Sequence, residues 1–151
     1  MKSDHKWQIL IVHGPNLNLL GEREPDVYGP MTLNKLNVMI KDYLESKNCS
    51  GLFFQSNHEG ILIDFLHDQR KTADGVIINP GALTHYSYAL HDALKAILLP
   101  AVEVHLSDIH ARENFRKISV TKPACIAQIS GLGTDSYLRG IDRLLEELQK
   151  K

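Results

Sequence analysis

The chain has 151 residues, of which 43% are hydrophobic and 23% charged, and its formal net charge at pH 7 is −1. That length and apolar fraction fit one domain, residues 1–151, with a sizeable core. The near-neutral charge gives no reason to expect nucleic acid or an anionic membrane surface as a partner.

The first apolar run, Ile9 to Val12, is continuous, as in a strand covered on both faces of a parallel sheet. Gly14-Pro15 ends it, because Pro15 lacks an N–H and forces Gly14 into an extended conformation. A long loop follows, carrying Asn16, Asn18, Glu22, Arg23, Glu24 and Tyr28 and punctuated by Gly21, Pro25 and Gly29. Both an ordinary surface loop and a lid over a ligand fit it. Thr32 can cap a helix with Leu33, Leu36, Ile40, Tyr43 and Leu44 on one face. The run Leu52-Phe53-Phe54 ends in Gln55-Ser56-Asn57, and a helix follows with Ile61, Leu62, Phe65 and Leu66 inward. Val76-Ile77-Ile78 ends in Asn79-Pro80-Gly81, before an amphipathic helix marked by Tyr86, Ala89, Leu90, Ala93, Leu94 and Ile97. The fourth run is Ala101 to His105, followed by a charged segment with Arg112, Phe115 and Arg116. The fifth is Ala124 to Ile129, and the last helix is faced by Leu138, Ile141, Leu145 and Leu148.

Alternating strands and helices of these lengths predict a flavodoxin-like three-layer α/β sandwich around a five-stranded parallel sheet of order 2-1-3-4-5. In such sheets ligands bind beyond the carboxyl ends of the strands. Asn16, Asn79, His85, His105, Ser107 and Arg116 lie just past those ends, and Arg23 and Tyr28 sit on the loop leaving the first strand. The two cysteines, Cys49 and Cys125, have no metal or redox spacing, which suits a reducing compartment. The opening MKSDHKWQIL lacks a signal-peptide core and no apolar run could span a bilayer, so a soluble cytoplasmic protein is expected.

The eight histidines show no ligand spacing, so no metal site is expected. Gly131-x-Gly133 is a weak glycine signal after the last strand, and no G-x-x-x-x-G-K occurs. A flavin- or phosphate-binding module stays open on grounds of fold alone. There is no G-x-S-x-G elbow, and no lysine stands in an apolar strand where it could form a Schiff base. Proton transfer suits the remaining residues. His105 ends a buried run, and Glu103, two residues earlier, shares its face of the strand and could orient it. A satisfied buried histidine fits His105 as well. Tyr28 is a poor base unaided, since with a pKa of about 10 only about one molecule in a thousand is phenolate at pH 7. A nearby cation such as Arg23 favours the charged form. An aromatic side chain that only packs its loop is the other reading of Tyr28.

Five motifs in order carry a resemblance: GPNLNLLG (Gly14 to Gly21), REPDVYG (Arg23 to Gly29), QSNHEG (Gln55 to Gly60), INPGALTH (Ile78 to His85) and VEVHLSDIHARENFR (Val102 to Arg116). From Ile9 to the final helix the chain closely resembles the type II 3-dehydroquinate dehydratases, the type II dehydroquinases of the shikimate and quinate pathways. The resemblance implies a lyase without cofactor or metal, which eliminates water from 3-dehydroquinate in the anti sense through an enolate. It makes Tyr28 the base, Arg23 the residue holding Tyr28 reactive on a closing lid, and Asn16 the holder of a water at the enolate oxygen. It makes His105 the acid, with Glu103 behind it. Asn79 and the backbone N–H groups of Leu106 and Ser107 would take the substrate carboxylate, and His85 and Arg116 would meet the ring hydroxyls. Asp92 matches a position that reaches a neighbouring subunit's site in the family's dodecamers, which are tetramers of trimers. The chain departs from the family pattern at His13 and Asp108, where asparagine is common, at GLGTDSY, where Ser136 replaces a glycine, and at Leu83, Tyr86 and Tyr88. None of these removes a group with an implied catalytic role.

Overall fold

The computed structural model describes residues 4–22, 26 and 30–150. Strands β1 (Trp7–His13), β2 (Cys49–Gln55), β3 (Gly75–Asn79), β4 (Ala101–His105) and β5 (Ala127–Ser130) form one parallel sheet of order β2-β1-β3-β4-β5. The predicted order stands. Helices α1 (Leu33–Ser46) and α4 (Asp135–Gln149) cover one face, and α2 (Glu59–Gln69) and α3 (Tyr88–Ala96) the other. Alternation along the central strands divides the core between the faces. Ile9, Ile11, Ile77, Val102 and Val104 pack on α1 and α4, whereas Leu10, Val12, Val76, Ile78 and Ala101 pack on α2 and α3. Among the described residues no helix is long and apolar enough to cross a membrane.

Helix α1 starts where expected: the Thr32 side chain accepts from the Lys35 N–H, and Leu36, Ile40 and Leu44 are fully buried. Some expected inward residues point out. Ile61 is 47% exposed, and the buried stripe of α2 runs instead through Leu62 and Leu66, with Ile63 and Phe65 on its flanks. Tyr86 is 62% exposed because it precedes the Ser87 cap, so the helical period does not reach it. Ala89 flanks the buried Leu90 row and is exposed. The fifth run is also shorter than expected. Pro123 has no N–H for a ladder, and Lys122–Ala124 forms a 3₁₀ turn, so pairing begins at Ala127. In α4 the buried face includes Tyr137 and Leu144, and Leu138 lies at its edge.

Two glycines set the geometry beyond the strand ends. A Cβ on Gly14 would lie 2.6 Å from the Pro80 carbonyl, so the turns after β1 and β3 can touch only through glycine. Their backbones are joined there by Gly14 N–H donating to the Asn79 carbonyl at 2.7 Å. Gly81 adopts φ +59° with its Cβ direction facing the Pro15 carbonyl, a conformation that side chains other than glycine's rarely take.

Candidate active site

The carboxyl edge of the sheet opens into a cavity of about 140 Å³. Asn16, Asn79, His85, His105, Ser107 and Arg116 all line it, as their places past the strand ends suggested, and so does Leu106, which the family resemblance pointed to. Glu103 lies beneath His105. Asp92 is exposed on α3 and does not line this cavity. Arg23 and Tyr28 lie outside the described residues. Arg112 also borders the cavity, from the charged segment after β4.

Asn16 sits at φ 71°, a left-handed conformation that asparagine tolerates better than most residues. Its N–H donates to Asn57 Oδ1 at 2.9 Å, and Gln55 Nε2 donates to the Gly14 carbonyl at 3.2 Å and to Asn57 Oδ1 at 3.1 Å. The end of β2 therefore holds the turn that presents Asn16.

The floor of the cavity is a buried acid–base pair. His105 Nε2 lies 2.7 Å from Glu103 Oε2, and Glu103 is fully buried. Thr84 donates to the same oxygen at 2.7 Å, Gln128 Nε2 at 2.7 Å and Ser119 at 3.3 Å, while Thr121 donates to Oε1. Burial pushes the Glu103 carboxyl up. The hydrogen bond and charge of His105, with the hydrogen bonds of Thr121 and Thr84, outweigh it and hold the group below its ordinary value. Glu103 is thus an ionised carboxylate deep in the protein, facing His105 from below. Of its partners, only Glu103–His105 is a neighbour along one strand. Thr84 was inside a motif without a role of its own, and Ser119, Thr121 and Gln128 carried no signal, since they meet Glu103 only after the chain has folded.

One wall is built from the segment after β4. Asp108 accepts from the His110 N–H at 3.0 Å and starts a 3₁₀ turn, so an aspartate does here what an asparagine would do. His85 Nδ1 donates to the Ile118 carbonyl at 2.7 Å, which leaves Nε2 without a proton. Burial lowers the His85 pKa, with the Ile118 contact opposing and the Arg116 charge assisting. His85 meets Phe115 edge-on at 6.1 Å, and the Arg116 guanidinium lies over that same ring, 4.6 Å from its centroid. Ser136, the other marked departure, is fully buried and accepts from the Leu132 N–H at 3.1 Å, closing the turn before α4.

The family model described as Dehydroquinase class II matches residues 7–145. The chain belongs to the class II dehydroquinase family. A class II dehydroquinase from Butyrivibrio crossotus, solved by crystallography, superposes with a TM-score of 0.91 at 46% identity, covering 95% of this chain and 99% of that one. A 3-dehydroquinate dehydratase of Caldicellulosiruptor saccharolyticus is 55% identical over 93% of this chain and 98% of its own. One from Halothermothrix orenii is 50% identical over 95% and 97%.

Proposed function

We propose that this single-domain chain is a type II 3-dehydroquinate dehydratase, a hydro-lyase of the shikimate pathway that converts 3-dehydroquinate to 3-dehydroshikimate. The observation that carries the reading is the His105–Glu103 pair at the floor of a cavity rimmed by Asn79, Ser107, His85 and Arg116. A proton-delivering histidine over an ionised carboxylate, next to donors for a carboxylate and hydrogen-bond partners for hydroxyls, suits loss of water from a polyhydroxylated acid.

In this reading Tyr28 removes the proton beside the ketone, with Arg23 favouring its phenolate. The electron pair passes to the ketone oxygen as an enolate, which a water held by Asn16 stabilises as charge builds. Collapse of the enolate breaks the carbon–oxygen bond, and His105 protonates the departing hydroxyl, so one proton and one hydroxide leave as water. Glu103 holds the His105 ring in place through its contact with Nε2. Asn79 with the N–H groups of Leu106 and Ser107 takes the carboxylate, and His85 and Arg116 take the ring hydroxyls. No step calls for a cofactor or a metal.

Asp92 belongs in this reading to a neighbouring subunit's site. Its support is that Asp92 is exposed on α3, a helix that begins at Tyr88, 69% exposed, and is flanked by Tyr86 and Leu98 at 62% and 88% exposure. Uncovered apolar surface there fits a homo-oligomer; the family resemblance makes it a dodecamer, and the same reading has it working in the cytoplasm.

The test is direct. Purified protein given 3-dehydroquinate in the presence of EDTA should generate the absorbance of the conjugated enone. No absorbance change, together with a yellow protein carrying bound flavin, would favour a binding module instead.

A further inference from the structure

A second polar network, on the opposite face of the sheet from Glu103, has no part in the roles above. His13, the last residue of β1, is fully buried. Its Nδ1 lies 2.9 Å from the hydroxyl of Tyr137 on α4, and its Nε2 lies 2.7 Å from Asn37 Oδ1 on α1. Tyr137 is also fully buried. Its hydroxyl has a second neighbour in the side-chain amide of Asn79, which pairs in register with His13 across β1 and β3.

Donor and acceptor counting gives this chain one consistent direction. Asn37 Oδ1 can only accept, so His13 carries its proton on Nε2. Nδ1 is then an acceptor, and the Tyr137 O–H donates to it. The tyrosine oxygen is left to accept from Asn79 Nδ2. The other end of that amide agrees: the Gly81 N–H can only donate, and it meets Asn79 Oδ1 at 3.1 Å. Asn79 is therefore held at its oxygen by the Gly81 N–H, and its nitrogen is left beside the Tyr137 hydroxyl. One Nδ2 proton can be offered to Tyr137, and the other remains for whatever enters the cavity that Asn79 lines.

We propose that Tyr137 and His13 are positioning residues, which lock the Asn79 amide with its N–H edge toward the ligand. Without them the amide could turn and offer its carbonyl oxygen to an anion, which would repel it. The proposal rests on the reading of Asn79 as a contact to the substrate carboxylate. Burial supports it, because desolvation holds His13 well below its ordinary value, at about 4, and so in the neutral form that can accept from Tyr137.

The experiment is a double-mutant cycle on KM and kcat with 3-dehydroquinate, comparing wild type, Tyr137→Phe, Asn79→Ala and the pair. Tyr137→Phe keeps the ring and removes the oxygen. It should raise KM about tenfold, the effect of one lost orienting hydrogen bond, with kcat little changed. On the Asn79→Ala background the same substitution should change KM hardly at all. His13→Leu should behave like Tyr137→Phe, and His13→Asn, which restores an acceptor, should recover part of the loss. The side-chain amide NMR signal of Asn79, read without ligand, should shift in Tyr137→Phe. If Asn79→Ala leaves KM unchanged, the assignment of Asn79 to the carboxylate falls and the proposal falls with it. If Asn79→Ala raises KM but Tyr137→Phe multiplies it equally in both backgrounds, the positioning role alone is overturned. An unshifted Asn79 amide signal in folded Tyr137→Phe would overturn it too.

Discussion

His105 and Glu103 meet at 2.7 Å although Glu103 is fully buried, and what makes this possible is the ring of donors on the carboxylate. An isolated buried carboxylate would take up a proton instead of staying charged. Thr84, Ser119, Thr121 and Gln128 come from three separate stretches of chain to prevent that.

Thr121→Val should show how much that ring matters. It keeps the shape and removes the donor to Oε1. Leaving that oxygen short of a partner should cost about 1–3 kcal/mol of stability in urea unfolding. The Glu103 carboxyl should move up, so kcat should fall although Thr121 does not line the cavity. Unchanged stability and unchanged kcat would mean that the other donors suffice.

His13 should make the fold pH-sensitive. Its pKa is about 4 when folded against an ordinary value of 6.5, because burial disfavours the charged form and outweighs the Asn37 contact. Between those values the unfolded chain binds the proton and the folded chain does not. Stability should therefore fall as pH drops from 6.5 toward 4, by about 1.4 kcal/mol per unit and on the order of 3 kcal/mol in all. Glu103, whose folded pKa is depressed, adds a loss in the same direction as pH falls below its ordinary 4.5. Urea titrations at several pH values should show a clearly weaker dependence between 6.5 and 4 for His13→Asn than for wild type.

Gly14→Ala tests the contact between the turns after β1 and β3. The added Cβ would fall 2.6 Å from backbone atoms of Pro80, which cannot swing aside as a side chain can. The expected cost is about 1–3 kcal/mol. Because Asn16 and Asn79 flank this contact, KM should rise as well. An alanine variant of wild-type stability and KM would show that the turns can separate freely.

Tyr28→Phe addresses the proposed base. The ring stays and the acidic oxygen goes, so kcat should drop by about 10²–10⁴, as for other lost acid–base groups, while KM stays close to normal. A near-normal kcat would send the search for the base to His85 and His105, the histidines that line the cavity.

The oligomer should be visible in solution. Light scattering should give a mass many times that of one chain, and Asp92→Ala should raise KM although its own subunit's cavity does not include it. A fully active monomer would remove Asp92 from the site.

Much of the architecture was legible in the residues because it depends on local period. Continuous apolar runs such as Ile9 to Val12 and Val76 to Ile78 signal strands buried on both faces, and the order of strands and helices then restricts the topology. The period of two placed Glu103 beneath His105, and the polar residues after each run fell on the carboxyl edge. Other features depend on where distant segments meet. Ile61 and Tyr86 are as apolar as their buried neighbours, and only the direction of packing exposes them. Pro123 shortened the fifth strand in a stretch whose composition suited one throughout. The donors around Glu103 are ordinary hydroxyls and an amide. His13 and Tyr137 are 124 positions apart, and neither reveals the other as its partner until β1 and α4 are packed together. A hydrogen-bond network is a property of three-dimensional neighbours, and its members leave no period along the chain that could announce them.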